Sequence, residues 1–174
     1  WMHCSRNWII TADKLAEAGY QVISVDLPGF GKSSEPQSDW NIDSYCQFVK
    51  NFSKELGIEP ACLVGHSFGG RLVIKLSATP TPMAQKIVLV DAAGMNTGRS
   101  LKQKIAIIIS STLSPLLNLL GPLKNVARDF VYKAMHRRDY NEVSSRMRAV
   151  YSLAVKEDLK AVAGKINLPT LIIW

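Results

Sequence analysis

The sequence predicts an α/β fold with a mostly parallel sheet, flanked by helices and interrupted by a helical insertion. Three observations support this. Strand-like and helix-like segments alternate through residues 6–91. The runs at 61–65 and 86–91 are continuously apolar, as in strands buried on both faces. Residues 95–150, by contrast, contain no strand-like run. The 174 residues suffice for one domain with a substantial core.

The first elements follow from local periodicity and turn chemistry. Residues 6–19 have helical apolar spacing and end at a glycine, a common helix C-terminus. Residues 21–26 are a short β-branched run, predicted as a strand, and a loop rich in Gly, Pro and Ser follows at 27–36. Asn41 is the predicted N-cap of a helix over 42–57.

Predicted strands and helices continue to alternate as far as residue 91, and several predicted helices then follow one another. They are, in order, a strand at 61–65, a helix at 68–78, a strand at 86–91, several helices within 95–150, a helix at 156–163 and a strand at 168–174. The predicted organisation is therefore a core over 1–94, a helical cap over 95–155 and a return to the core over 156–174. Within the cap, the apolar stretch 105–123 is interrupted by polar residues and prolines. It favours lid helices lining an apolar pocket, with docking at a membrane interface as the alternative.

The net charge and the cysteine content limit the classes of binding partner and the cellular location that the sequence predicts. The formal net charge is +7, and residues 94–160 carry the whole excess, with twelve Lys and Arg against five Asp and Glu. No aromatic stacking platform or nucleic-acid motif accompanies them, so nucleic acid is not expected. Solvated helix faces are the favoured interpretation, and attraction for an acidic substrate, lipid surface or partner is the alternative. The three cysteines form no spaced framework, which favours a reducing, cytoplasmic location.

Cofactor motifs are incomplete in this chain. Gly31, Lys32 and Ser33 resemble the end of a phosphate-binding loop, but Asp26 occupies the place of its first glycine. No His, Cys, Asp or Glu cluster has metal-ligand spacing. We therefore expect neither a cofactor nor a metal.

The segment 65–69 has the pattern Gly-x-Ser-x-Gly between a predicted strand and a predicted helix. That context is typical of a nucleophile elbow, in which a strained turn exposes the serine, here Ser67. Gly65 and Gly69 would keep side chains away where strand and helix meet, and the amide of Phe68 would face an oxyanion beside the serine. The alternative is a glycine-rich turn with an idle serine.

The elbow, the loop Asp-Leu-Pro-Gly-Phe-Gly-Lys-Ser-Ser at 26–34 and the segment 86–94 together resemble the α/β-hydrolase superfamily. The resemblance is to its serine-hydrolase, carboxylesterase-like branch with a helical cap. It implies a partial α/β-hydrolase fold and a second oxyanion amide from Trp1. It also places the catalytic acid and histidine beyond residue 174. The chain is thus expected to be an internal fragment with little or no activity by itself.

An internal triad is a weaker alternative. Asp91 ends a strand from which some relatives of this fold supply the acid, but His136 is the histidine downstream of it, within the cap. His3 belongs to the oxyanion loop, and His66 is expected to point away from Ser67. The function implied is hydrolysis of a carboxylic ester or related acyl compound through an acyl-enzyme. A small acyl substrate with a hydrophobic moiety would be the partner. The alternatives are a non-catalytic binding protein, an acyltransferase or a C–C-bond hydrolase on the same fold.

Overall fold

The computed structural model describes residues 3–95 and 144–174. The helices of these residues are α1 (Ile9–Glu17), α2 (Ile42–Glu55), α3 (Phe68–Ser77), α4 (Ser145–Lys156) and α5 (Lys160–Ala163), and a 3-10 helix spans Ser5–Trp8. The strands are β1 (Cys62–His66), β2 (Lys86–Val90) and β3 (Thr170–Ile173). Most of the predicted cap, including the stretch 105–123 and His136, lies outside the described residues, so the division into cap and core stays a prediction.

The described strands form one parallel sheet in the order β1-β2-β3. Because α3 returns the chain from the end of β1 to the start of β2, the two strands can run in the same direction. Their register pairs His66 with Val90, and Val90 in turn pairs with Ile173. The carboxyl ends of all three strands therefore meet at one edge of the sheet, which is where open parallel sheets carry their sites. The predicted α/β class with a parallel sheet is confirmed.

The core lies between the sheet, α3 and the segment that follows α4. Its buried cluster consists of Val73, Ile74, Ile87, Leu89, Ala92 and Leu159. Leu159 is fully buried, and its amide donates to the carbonyl oxygen of Gly94 at 2.8 Å. The cluster fixes α3 against the sheet immediately behind the turn at Ser67.

Two predicted elements are wrong. Residues 21–26 form no strand, because they pair with no strand among the described residues, and Ile23 is 43% exposed. Local β propensity does not make a strand without a hydrogen-bonded neighbour. Residues 156–163 are not one helix, because Glu157 takes an extended conformation between α4 and α5. That break allows Leu159 to enter the core.

The helix that carries the elbow is fixed to its neighbours by charged side chains. Arg71 is buried, and its Nη1 donates to the carbonyl oxygens of Ala154 at 2.6 Å and Glu157 at 2.9 Å, at the end of α4. Lys75 forms ion pairs at 2.6 Å with Asp43 on α2 and with the carboxylate of Glu157. The contacts to Glu157 join residues more than eighty positions apart, and no short-range pattern predicts them. In the part of the chain that the structure describes, no helix is both long and apolar enough to cross a membrane.

Candidate active site

Ser67 lies at the sharp turn between β1 and α3. Its φ of 48° and ψ of −107° place it in a region that non-glycine residues rarely adopt, and such a conformation costs on the order of 1–3 kcal/mol. Two backbone hydrogen bonds hold it. The amide of Ser67 donates to the carbonyl oxygen of Val90 at 3.1 Å, and its own carbonyl oxygen accepts from the amide of Ala93 at 3.1 Å. The conformation is therefore maintained by the neighbouring strand.

The glycines around Ser67 differ in how closely they are packed. A Cβ atom on Gly65 would lie 2.6 Å from the carbonyl oxygen of Gly69 and 2.7 Å from a methyl group of Val73. A Cβ atom on Gly70 would lie 2.5 Å from the Cβ atom of Ala92. Nothing lies within 4 Å of the corresponding point on Gly69. The close contacts are thus at Gly65, between β1 and α3, and at Gly70, between α3 and the segment after β2, and the pattern Gly-x-Ser-x-Gly does not single out Gly70.

Phe68 begins α3 directly after the serine. Its buried ring stacks on that of Phe30, with centroids 5.4 Å apart, and meets the ring of Tyr45 edge-on at 5.2 Å. The first amides of a helix point out of its N-terminus, which is where helices bind anions. The other predicted donor, Trp1, lies outside the described residues. The oxyanion roles of Phe68 and Trp1 stay predictions.

The two described histidines lie together beside the elbow. The rings of His66 and His3 stack with centroids 5.2 Å apart and an interplanar angle of 12°, and Trp8 meets His66 edge-on at 6.5 Å. Burial lowers the pKa of His66 below its usual value, the proximity of His3 lowers it further, and the carboxylate of Asp91 opposes the shift. These contacts place the segment 3–8 against the residue that precedes Ser67.

The lowered pKa of His66 predicts a loss of stability in mild acid. Below a pH of about 6.5 the unfolded state binds a proton that the folded imidazole resists, so stability falls until the pH passes the lower folded pKa. We expect the thermal midpoint to drop between pH 7 and pH 5, and to drop less in a His66→Gln variant. Thermal unfolding of both proteins across that range checks this. An equal pH dependence of the two midpoints would show that His66 does not contribute.

Asp91 follows β2 at the same edge of the sheet. It has a positive φ of 43°, and its amide donates to the carbonyl oxygen of Ile173 at 2.8 Å. Its side chain is exposed. The location of the catalytic acid and histidine beyond residue 174 stays a prediction. Among the described residues, no group of three or more His, Cys, Asp or Glu side chains is arranged to hold a metal ion.

Comparison with known proteins points to one family. A family model described as the alpha/beta hydrolase fold matches residues 1–113. The 2-hydroxy-6-oxononadienedioate/2-hydroxy-6-oxononatrienedioate hydrolase of Klebsiella pneumoniae is 29% identical over 193 residues, covering all of this chain and 64% of the relative. The dihydrolipoyllysine-residue acetyltransferase component of the acetoin cleaving system of Cupriavidus necator is 38% identical over 88 residues, which is 51% of this chain and 23% of the relative.

Solved structures show the same fold. An esterase from Exiguobacterium antarcticum superposes with a TM-score of 0.67 at 23% identity, covering 99% of this chain and 69% of the esterase. The α/β-hydrolase enzyme MGS-M2, from a deep-sea metagenome library, gives a TM-score of 0.66 at 18% identity over 98% of this chain and 66% of that one. This chain spans less than two thirds of the length of the curated relatives described above.

Proposed function

This chain belongs to the α/β-hydrolase fold family, and we propose that the complete protein is a serine hydrolase of carboxylic esters or related acyl compounds. Ser67 is the nucleophile. The observation that carries the proposal is the strained conformation of this serine, at a strand-to-helix turn on the carboxyl edge of a parallel sheet. A serine at such a turn presents its hydroxyl group to the site. This strand-turn-helix context makes the Gly-x-Ser-x-Gly pattern typical of a nucleophile elbow.

The proposed reaction proceeds through an acyl-enzyme. The Ser67 hydroxyl attacks the acyl carbonyl and gives its proton to a histidine, which the family resemblance places beyond residue 174. The alcohol leaves with a proton from that histidine, and water then releases the acid by the same route. The reaction needs no cofactor and no metal.

The start of α3 supports stabilisation of the oxyanion. The amide of Phe68 is the first of a helix and lies directly after the nucleophile. A hydrogen bond from such a donor to the developing oxyanion lowers the activation free energy by about 3–4 kcal/mol. By the resemblance, the amide of Trp1 is the second donor.

The substrate is proposed to be a small acyl compound with a hydrophobic moiety, received under the predicted cap over 95–155. A cytoplasmic location is proposed as well. Cys4, Cys46 and Cys62 are all free, as a reducing compartment would keep them.

A second function is favoured by the relatives. One is named an acetyltransferase component and another a hydrolase of 2-hydroxy-6-oxo dienedioates. An acyltransferase or a C–C-bond hydrolase on the same fold is therefore the alternative chemistry. A non-catalytic binding protein is the alternative outside catalysis.

Product analysis with the complete protein separates these functions. We expect p-nitrophenyl acetate and butyrate to be converted to p-nitrophenol and free acid in equal amounts, with inactivation by a fluorophosphonate. Acyl transfer to an added thiol or amine in preference to water would identify an acyltransferase. Cleavage of a 2-hydroxy-6-oxo dienoate without ester turnover would identify a C–C-bond hydrolase. The absence of all three reactions, with no fluorophosphonate labelling, would identify a binding protein.

A further inference from the structure

The carboxylate of Asp26 joins two separate segments of the chain. Its Oδ1 accepts the amide of Ser5 at 2.6 Å, and its Oδ2 accepts the amide of Lys32 at 3.0 Å. Ser5 and Asp26 are 21 positions apart, so the first contact is tertiary, whereas the second closes the loop that Asp26 begins. A carboxylate has acceptor capacity on both oxygens and satisfies both amides at once. The hydrogen bonds from the amides of Lys32 and Ser5 lower the pKa of Asp26 below its usual value.

The loop at 26–34 is shaped around this carboxylate. Gly31 has a φ of 56°, and a Cβ atom there would lie 2.3 Å from Oδ2 of Asp26. The hydroxyl of Ser33 donates to the backbone carbonyl oxygen of Asp26 at 2.7 Å. A side chain at Gly31 would displace this carboxylate and would have to adopt a left-handed backbone conformation, so glycine allows the loop to approach Asp26 closely.

The other side of the same loop contacts the start of α3. Phe30, which is 5% exposed, stacks on Phe68 with an interplanar angle of 18°. The hydroxyl of Tyr45 donates to the carbonyl oxygen of Pro28 at 2.9 Å and fixes the loop to α2. These contacts hold the loop against Phe68, the residue whose amide is the first proposed oxyanion donor.

The segment 3–8 is compact and reaches the elbow. The amide of Cys4 donates to the side chain of Asn7 at 2.8 Å, and the amide of Asn7 donates back to the carbonyl oxygen of Cys4 at 3.0 Å. His3 stacks on His66, the residue before Ser67. The segment 3–8 therefore contacts the residue next to the proposed nucleophile.

We propose that Asp26 is a positioning residue that joins the segment 3–8 to the loop 26–34 and so holds His66 and the proposed oxyanion donor Phe68 in place beside Ser67. This inference rests on the proposed function. Asp26 acts through the amide of Ser5 and does not contact the substrate. An asparagine has one acceptor oxygen and one donor group, so it satisfies only one of the two amides and presents a donor to the other.

Kinetics of an Asp26→Asn variant of the complete protein test the proposal. We expect kcat for p-nitrophenyl butyrate to fall about 10- to 100-fold, since a small misplacement of a catalytic donor costs that much. KM should stay within about twofold, because an oxyanion contact forms only in the transition state. An alkyl boronic acid, which forms a tetrahedral anion on the serine, should lose affinity in parallel with kcat. Asp39→Asn, which neutralises an exposed carboxylate, is the control and should match the wild type.

Amide hydrogen exchange supplies a readout that does not depend on activity. In Asp26→Asn we expect exchange in a peptide covering residues 3–8 to quicken at least about tenfold, while the peptide of α3 stays protected. Unchanged exchange over 3–8 would overturn the proposal, whatever the activity. Faster exchange with unchanged kcat and boronic acid affinity would overturn it too. A wild-type protein that neither hydrolyses esters nor reacts with a fluorophosphonate would instead contradict the proposed function.

Discussion

Replacing Ser67 with alanine in the complete protein is expected to lower kcat/KM for p-nitrophenyl esters by at least about a thousandfold. The hydroxyl is the proposed nucleophile, and removing such a group leaves only the catalysis that binding and oxyanion donors supply. The variant should fold, since the hydrogen bonds that hold Ser67 to Val90 and Ala93 are made by its backbone. Alanine keeps the Cβ atom, so the conformational strain of the turn remains. Initial rates over a range of ester concentrations measure the loss of kcat/KM. The thermal midpoint checks that the variant is folded.

Ser77→Ala is the matched control for that experiment. Ser77 is the last residue of α3, and its hydroxyl is buried without a hydrogen-bond partner among the described residues. Removing an unsatisfied hydroxyl is neutral or stabilising, and it should leave ester turnover unchanged. If Ser67→Ala retained the activity of the Ser77→Ala control, Ser67 would not be the nucleophile.

The second large effect is expected at Gly65. In Gly65→Ala the new methyl group meets the backbone of Gly69 and the side chain of Val73 at less than 3 Å. Backbone cannot move aside as a flexible side chain can, so β1 and α3 must separate. We expect a loss of at least about 3 kcal/mol in the free energy of unfolding, the upper end of the usual cost of overpacking. Denaturant unfolding of the variant and the wild type measures this loss.

Gly69→Ala is the control for the packing argument, because it makes the same chemical change four residues away. A methyl group at Gly69 meets nothing within 4 Å, and alanine is favoured over glycine within a helix by roughly 0.5–1 kcal/mol. This variant should be as stable as the wild type or more so. Equal stability of Gly65→Ala and Gly69→Ala would contradict the packing of β1 against α3.

The sequence was sufficient to predict those parts of the fold that depend on local pattern. The continuous apolar runs became β1 and β2, and their parallel pairing follows from the helix between them. The turn at Ser67 was predictable because its glycines and flanking elements all lie within one short segment. The N-cap at Asn41 was predictable for the same reason, and its side chain accepts the amide of Ser44 at 2.9 Å.

The errors arose where tertiary contacts decide the outcome. Residues 21–26 have strand-forming side chains, but a strand also needs a neighbour. The predicted helix at 156–163 is broken because burying Leu159 outweighs its local preference. The pattern Gly-x-Ser-x-Gly treats Gly65 and Gly69 alike, and only the position of Ala92 reveals that Gly70 is the second close contact. The hydrogen bond from Ser5 to Asp26 was likewise not visible in either local segment.

Ser67 is proposed to carry the acyl group during turnover. Quenching the complete protein during steady-state hydrolysis of p-nitrophenyl butyrate, and then measuring the mass of its peptides, locates that group. We expect a butyryl adduct on the peptide containing Ser67, formed in a burst with the first p-nitrophenol and lost at the turnover rate. Turnover with the butyryl group on another residue, or undiminished turnover after a fluorophosphonate has fully labelled Ser67, would contradict this assignment.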